Sequence, residues 1–199
     1  MKILIACEFS GILRDAFVDR GHDAWSCDLL PTERPGKHHK GSVYNIIIQN
    51  HWDMMIAHPP CRYLTVTANR SFKNNPDRWL KRLNAMLFVH ALMNAKIERI
   101  CIENPKGVIS SHIRKPDQYI QPYQFGHPYS KTTGLWLKNL PLLVPTKIVE
   151  PEWIYPVSGG KRMSKKHYKS SSNNNEENRK IRSRFDQGIA DAMADQWNF

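Results

Sequence analysis

The sequence predicts an α/β protein built on a mainly parallel sheet. Apolar strand-like runs recur at Lys2–Cys7, Asp23–Cys27, Asp53–Ala57 and Arg99–Ile102. Helical patterns separate the first run from the second and the third from the fourth. Polar residues gather just after the runs, at Glu8, Asp28, His58–Cys61 and Glu103–Asn104. Strand–helix–strand rhythm implies right-handed crossovers, and ligands of such sheets sit beyond the carboxyl ends of the strands.

Each element has its own reason. KILIAC reads as a buried strand. Ser10-Gly11 breaks it, and Ile12–Arg20 reads as a helix closed by Gly21, where glycine is favoured. DAWSC is the second strand, followed by a loop over Leu29–Lys40. Val43–Ile48 fits a strand or a helix. DMMIA is a third strand, stopped by His58-Pro59-Pro60-Cys61. Asp77–Lys96 is a long helix with Trp79, Leu80, Leu83, Met86, Leu87, His90, Ala91, Met93 and Asn94 near one face, the face expected to pack. RICI ends at Glu103-Asn104-Pro105, and TGLWL (Thr133–Leu137) is a further strand. Three regions follow: a core over 1–149, a basic insertion over 150–184 containing SSSNNN and expected to be mobile, and a closing helix within 185–199 packed on the sheet.

Composition narrows the function classes. A chain of 199 residues with 41% hydrophobic side chains suits one domain. A mean hydropathy of −0.56 and no apolar run near the ~20 residues of a bilayer span argue against a membrane protein. Met1–Ala6 is a short apolar stretch followed at once by Glu8, Arg14 and Asp15, unlike a signal peptide, so a cytoplasmic protein is expected. A formal charge of +11 favours a polyanionic partner, nucleic acid first, although a basic tail on an ordinary enzyme gives the same sum. The four cysteines form no C-x-x-C pair, which disfavours a zinc ribbon and a disulfide framework. Cys7, Cys27 and Cys101 read as small buried hydrophobes. His38 and His39 stand in a loop, and His58 lies three residues before Cys61 with no second ligand pair, so no metal is expected.

Cys61 differs from the other cysteines. A strand runs into two prolines, which stiffen the loop and present the thiol at a defined point. A loop cysteine without chemistry reads as readily from this segment alone; neighbouring Arg62 favours the thiolate. Glu103 ends the next strand; alone it reads as an exposed loop carboxylate, but paired with the cysteine loop a carboxyl group there can assist at a ring nitrogen, and Asn104 can hold the loop or touch a base. Glu8-Phe9-Ser10-Gly11 is a candidate cofactor loop before a helix. Asp28 is either a clamp for ribose hydroxyls or a strand-end carboxylate facing water. His127 and Lys131 flank an aromatic-rich segment that either lines a pocket or serves turns. Lys161, Arg162, Lys165 and Lys166 can hold phosphates or simply face solvent.

In this order the motifs resemble the DNA cytosine-5 methyltransferases. Pro59-Pro60-Cys61 is similar to their Pro-Cys loop and Glu103-Asn104 to their Glu-Asn-Val motif, with Pro105 in place of Val. CEFSGILRDAF resembles their cofactor loop, and RFDQGIADAMA their closing motif. Nearly the whole chain resembles small phage and prophage proteins of this type, including SCDLLPTERPG and QFGHPYSKTTGLWLKNLP. The resemblance implies a Rossmann-like fold that binds S-adenosyl-L-methionine (AdoMet), with Glu8, Phe9, Ser10, Gly11, Asp28 and Pro59 at the cofactor. It implies Cys61 attacking carbon 6 of cytosine, Glu103 and Asn104 assisting, and Arg62, Lys131 and the basic insertion on DNA, as in restriction-modification chemistry in a bacterial or phage-infected cell. This chain departs from the family at Arg62, where glutamine is usual, at Gly41-Ser42-Val43, which lacks an aspartate, and in having no Gln-x-Arg-x-Arg. Its target-recognition region is reduced to about 150–184. Two other readings therefore stay open: an enzyme acting on a pyrimidine nucleotide or RNA, and an inactive methyltransferase-like protein that binds nucleic acid.

Overall fold

The computed structural model describes residues 1–155, 162–165 and 176–199. Its centre is a seven-stranded sheet in the order β3-β2-β1-β4-β5-β7-β6. The strands are β1 (Lys2–Ala6), β2 (Asp23–Asp28), β3 (His38–Lys40), β4 (Met54–Ala57), β5 (Arg99–Pro105), β6 (Gln118–Ile120) and β7 (Thr133–Lys138). β3, β2, β1, β4 and β5 are mutually parallel, and β7 runs antiparallel to both β5 and β6. This is the Rossmann-like arrangement with a mainly parallel sheet that the sequence predicts.

Alternation along the strands builds a layer on each face. Ile3 and Ile5 of β1 pack with Met54 and Ile56 of β4 under α1 (Ile12–Val18) and α6 (Gln187–Gln196). Leu4 and Ala6 pack with Met55 and Ala57 under α2 (Val43–Gln49) and α3 (Pro76–Met93). α4 (Ile109–His112) and α5 (Glu176–Ser183) are short, and β8 (Trp153–Ile154) pairs with β9 (Met163–Ser164) as a small antiparallel ribbon. α6 closes onto α1, with Met193, Ala194 and Trp197 fully buried.

One open reading is resolved and two expectations change. The ambiguous Val43–Ile48 is the helix α2, which buries Val43 and Ile46. His38–Lys40, expected as loop, is the edge strand β3, held by its backbone on β2. The packing face of α3 is not the one expected: Trp79, Leu80, Leu83 and Leu87 are exposed, while Arg82, Val89 and Leu92 are buried. Apolar residues encircle much of this helix, so periodicity admits two stripes. The sheet takes the stripe through Ala85, Met86, Val89, Leu92 and Met93.

Candidate active site

β1 lies between β2 and β4, and the chain turns away on opposite faces to either side of it. The crevice at such a reversal opens at the carboxyl ends of the strands. A cavity of about 240 Å³ lies there. Cys7, Phe9, Asp28 and Leu30 form one wall, His58–Cys61 and Glu103–Pro105 the next, Lys131 and Thr133 a third, and Arg182–Asp186 the cover.

The Cys61 loop is pinned from three directions. Cys61 opens a 3₁₀ turn, and its carbonyl accepts the N–H groups of Leu64 and Thr65 at 2.9 and 3.1 Å. Asn104 donates from Nδ2 to the Pro59 carbonyl at 2.6 Å. Arg82, buried in α3, donates from Nε to the Tyr63 carbonyl at 2.8 Å while its guanidinium stacks on Phe72 at 3.6 Å. On the far side Gly107 lets the backbone approach, because a Cβ there would lie 2.1 Å from the Leu64 carbonyl oxygen. A nucleophile held this way needs little reorganisation.

Cys61 is the one exposed cysteine; Cys27 and Cys101 are buried, and Cys7 is half-buried on the cavity wall. Burial pushes the Cys7 and Cys101 thiols far up and Cys27 up to about 12, consistent with inert side chains. Burial of the sulfur also pushes Cys61 up despite the residue's exposed flank, and the Glu103 charge adds to this; Lys131 and Arg182 pull it back. Cys61 is therefore a thiol at neutral pH, and its activation falls to groups already in the cavity. Arg62, expected to favour the thiolate, is not one of them. Its side chain turns out over the Tyr63 ring, 5.5 Å from the centroid, because adjacent residues of a 3₁₀ turn diverge.

Glu103 is largely covered, with His58, Lys131 and Asp186 around it. Burial raises its carboxyl, but the hydrogen bond from His58 Nδ1 at 3.2 Å and the Lys131 ammonium outweigh that, and the group lies below its ordinary value. Phe185 covers the His58 ring, with centroids 4.6 Å apart. Asp186 caps α6, and Tyr129 donates its hydroxyl hydrogen to it. The Gly188 N–H donates to His127 Nε2 at 2.9 Å. Arg184 grips Glu33 bidentately at 2.7 and 2.8 Å, tying the cover to the loop after β2.

Asp28 stands at the end of β2 on the cavity wall. Burial raises its carboxyl, resisted by the Leu30 N–H at 2.9 Å and by His38. Glu8 is buried, with Oε1 accepting from Ser10 Oγ at 2.6 Å and Oε2 without a partner. Buried carboxylate oxygens seldom stay unpaired, so Glu8 is short of a donor, but it stands behind the cavity lining and not on it. With the Phe9 ring and the apolar surfaces of Leu30 and Pro59, Asp28 fits a ligand with hydroxyl donors and a flat ring, as AdoMet has.

The sequence-predicted residues do not all meet in one place. Cys61, Glu103, Asn104, Pro59, Asp28, Phe9 and Lys131 meet at the cavity. Glu8, Ser10 and Gly11 lie behind its wall, and Gly11 packs against Arg14. Arg162 stacks on Trp153 at 4.3 Å and Lys165 pairs with Glu152 at 2.9 Å, both on the ribbon region and outside the cavity. Lys161 and Lys166 lie outside the described residues. Sequence reasoning missed His58 as a partner of Glu103, the Tyr129–Asp186 contact and the buried Arg82. The position of His58 at a strand's carboxyl end was the only signal for any of them.

No protein-family model and no curated protein matches the chain. Among solved structures the chain is similar to a prophage-encoded protein of E. coli, described provisionally as a DNA modification methyltransferase, at 16% identity and a TM-score of 0.49. The match covers 74% of this chain and 51% of that one, so this chain spans about half of that protein's length. Among the described residues, no helix is long and apolar enough to cross a membrane.

Proposed function

We propose that this chain is an AdoMet-dependent methyltransferase that modifies carbon 5 of cytosine in DNA through a covalent Cys61 adduct. The observation that carries the reading is the meeting of Cys61, Glu103 and Lys131 with Asp28 in one cavity at the carboxyl ends of β1, β2, β4 and β5. Asp28, Phe9 and Pro59 would hold the cofactor, with Glu8, Ser10 and Gly11 supporting that wall. AdoMet, when bound, supplies the methyl group. Cys61 Sγ adds to carbon 6 of the pyrimidine and raises electron density at carbon 5. Lys131 steadies the negative charge that develops on sulfur and ring, and Glu103 serves ring nitrogen 3. Asn104 fixes the loop through the Pro59 carbonyl. Duplex DNA would have to present its cytosine flipped out of the stack, and the net charge of +11 suits that partner.

One observation favours a second reading, a pyrimidine nucleotide as substrate. The cavity is covered by Arg182–Asp186, a closure that suits a small molecule more readily than a duplex. Incubation with AdoMet and either duplex DNA, RNA or deoxycytidine monophosphate, followed by nucleoside mass spectrometry, separates the readings. The proposal expects 5-methylcytosine from DNA with wild type and none with Cys61→Ala. Product from the nucleotide or RNA alone moves the substrate. Absence of product with all three, together with no AdoMet binding by calorimetry, leaves a protein that only binds nucleic acid.

A further inference from the structure

The imidazole of His58 meets the reacting groups from behind. It ends β4 three residues before Cys61, lines the same cavity, and reaches across to β5 to place Nδ1 3.2 Å from Glu103 Oε2. Both side chains are nearly covered, at 12% and 14% exposure. Phe185 lies against the ring, and the other nitrogen, Nε2, is buried without a partner. A buried N–H left unpaired costs more than a bare lone pair, so the proton belongs on Nδ1, pointing at Glu103. No other described residue hydrogen-bonds the Glu103 carboxylate. The remaining charges around the pair are Lys131 before β7, Arg182 and Asp186 in the cover, and Cys61 itself. The histidine is more than a space-filler: an apolar residue would pack against Phe185 without leaving an orphan nitrogen.

Resting on the function proposed above, we propose that His58 is a positioning residue: its Nδ1–H holds Glu103 Oε2, so that the other carboxylate oxygen carries the proton of the addition step. Cys61 starts as a thiol and Glu103 as a carboxylate. As the S–C6 bond forms, the S–H bond breaks and the C5=C6 electron pair moves toward nitrogen 3. The thiol proton passes to Glu103 Oε1, and Glu103 delivers it to nitrogen 3, while the His58 proton stays on Nδ1. One S–H bond is lost and one N–H bond gained, so no outside acid is needed. When sulfur leaves, that proton returns by the same route and the proton of carbon 5 goes to solvent.

The test uses the protein with His58→Gln, which keeps a donor toward Glu103, and His58→Leu, which keeps none. In His58→Leu the burial of Glu103 is unopposed on that side, so its carboxyl moves up and carries its own proton at acid pH. The expected result near neutral pH is a loss in kcat of about 10²-fold for His58→Leu and a rate close to wild type for His58→Gln. KM for DNA stays unchanged, and the activity of His58→Leu recovers as the pH falls, a profile absent from wild type. A loss equal in the two variants or equal at every pH, or no loss, overturns the positioning role. A second readout is independent of methyl transfer: ¹³C NMR of the Glu103 carboxyl should show its titration moved to higher pH in His58→Leu. An unmoved Glu103 overturns the coupling whether or not the enzyme is active. An inactive wild type with a moved Glu103 overturns the methyltransferase reading instead.

Discussion

The loop after β1 and the loop after β4 leave neighbouring strands at the same end of the sheet, yet they use their polar groups differently. Behind the first, Arg14 is fully buried and fully engaged. It reaches Asp15 at 2.7 Å, Ser26 at 3.2 Å and the carbonyls of Arg34 and Pro35 at 3.2 and 2.9 Å. Gly36 sits so close that a Cβ would lie 2.6 Å from the guanidinium carbon. This is a closed network that fixes the Leu29–Lys37 loop. Around the second loop, His58 Nε2 and Asn104 Oδ1 are buried and unpartnered, and Cys61 is exposed. The difference separates scaffold from chemistry: satisfied polar groups hold a shape, and unsatisfied ones await a ligand. On the first side Glu8 Oε2 is the exception, a buried oxygen without a partner behind the cavity wall.

Substitutions can break this contrast in a graded way. Cys61→Ala should remove at least about 10³-fold of the product-forming rate, read by nucleoside mass spectrometry. Because the residue is exposed, the midpoint of urea unfolding should hardly move. Arg14→Ala should show the opposite signature, a stability loss of about 3 kcal/mol by urea denaturation. A loss under about 1 kcal/mol would mean that the network is not the scaffold described.

Lys131→Met should lie between these extremes. Lys131 pulls both the Cys61 thiol and the Glu103 carboxyl down, so its removal lets both move up. Iodoacetamide should then alkylate Cys61 more slowly at a given pH, and turnover should fall about tenfold. An unchanged alkylation rate would remove Lys131 from the site.

The smallest effect belongs to Asp28. Its carboxyl is raised by burial, so the folded state binds its proton more tightly than the unfolded chain. The penalty from this group is present at neutral pH and lifts as pH falls through the raised value. Asp28→Asn should therefore gain about 0.5 kcal/mol in stability and weaken AdoMet binding by calorimetry. Stability gained with AdoMet affinity unchanged would return Asp28 to the role of a strand-end carboxylate.

The parallel strands and the residues at their ends were legible because apolar runs and proline or polar stops are local signals. β3 and β6 were not, since HHK and QYI carry no apolar run and are held by backbone pairing alone. The packing face of α3 was misassigned because Leu80, Leu83 and Leu87 look like core residues, and only the sheet decides which stripe it takes. Arg14 and Arg82 look like surface residues of amphipathic helices. Their burial depends on partners distant in the chain, carbonyls at 34 and 35 for one and at 63 for the other. His58 was visible but unreadable for the same reason, as its partner lies on another strand.

The most direct experiment uses duplex DNA in which every cytosine carries fluorine at carbon 5, incubated with AdoMet and followed by mass spectrometry of the denatured protein. Fluorine cannot leave as a proton does, so a sulfur bonded to carbon 6 stays bonded. A covalent protein–DNA species attached at Cys61, absent with Cys61→Ala, is the predicted result. Methylation of ordinary DNA with no such species, or an adduct that persists in Cys61→Ala, would contradict the covalent mechanism.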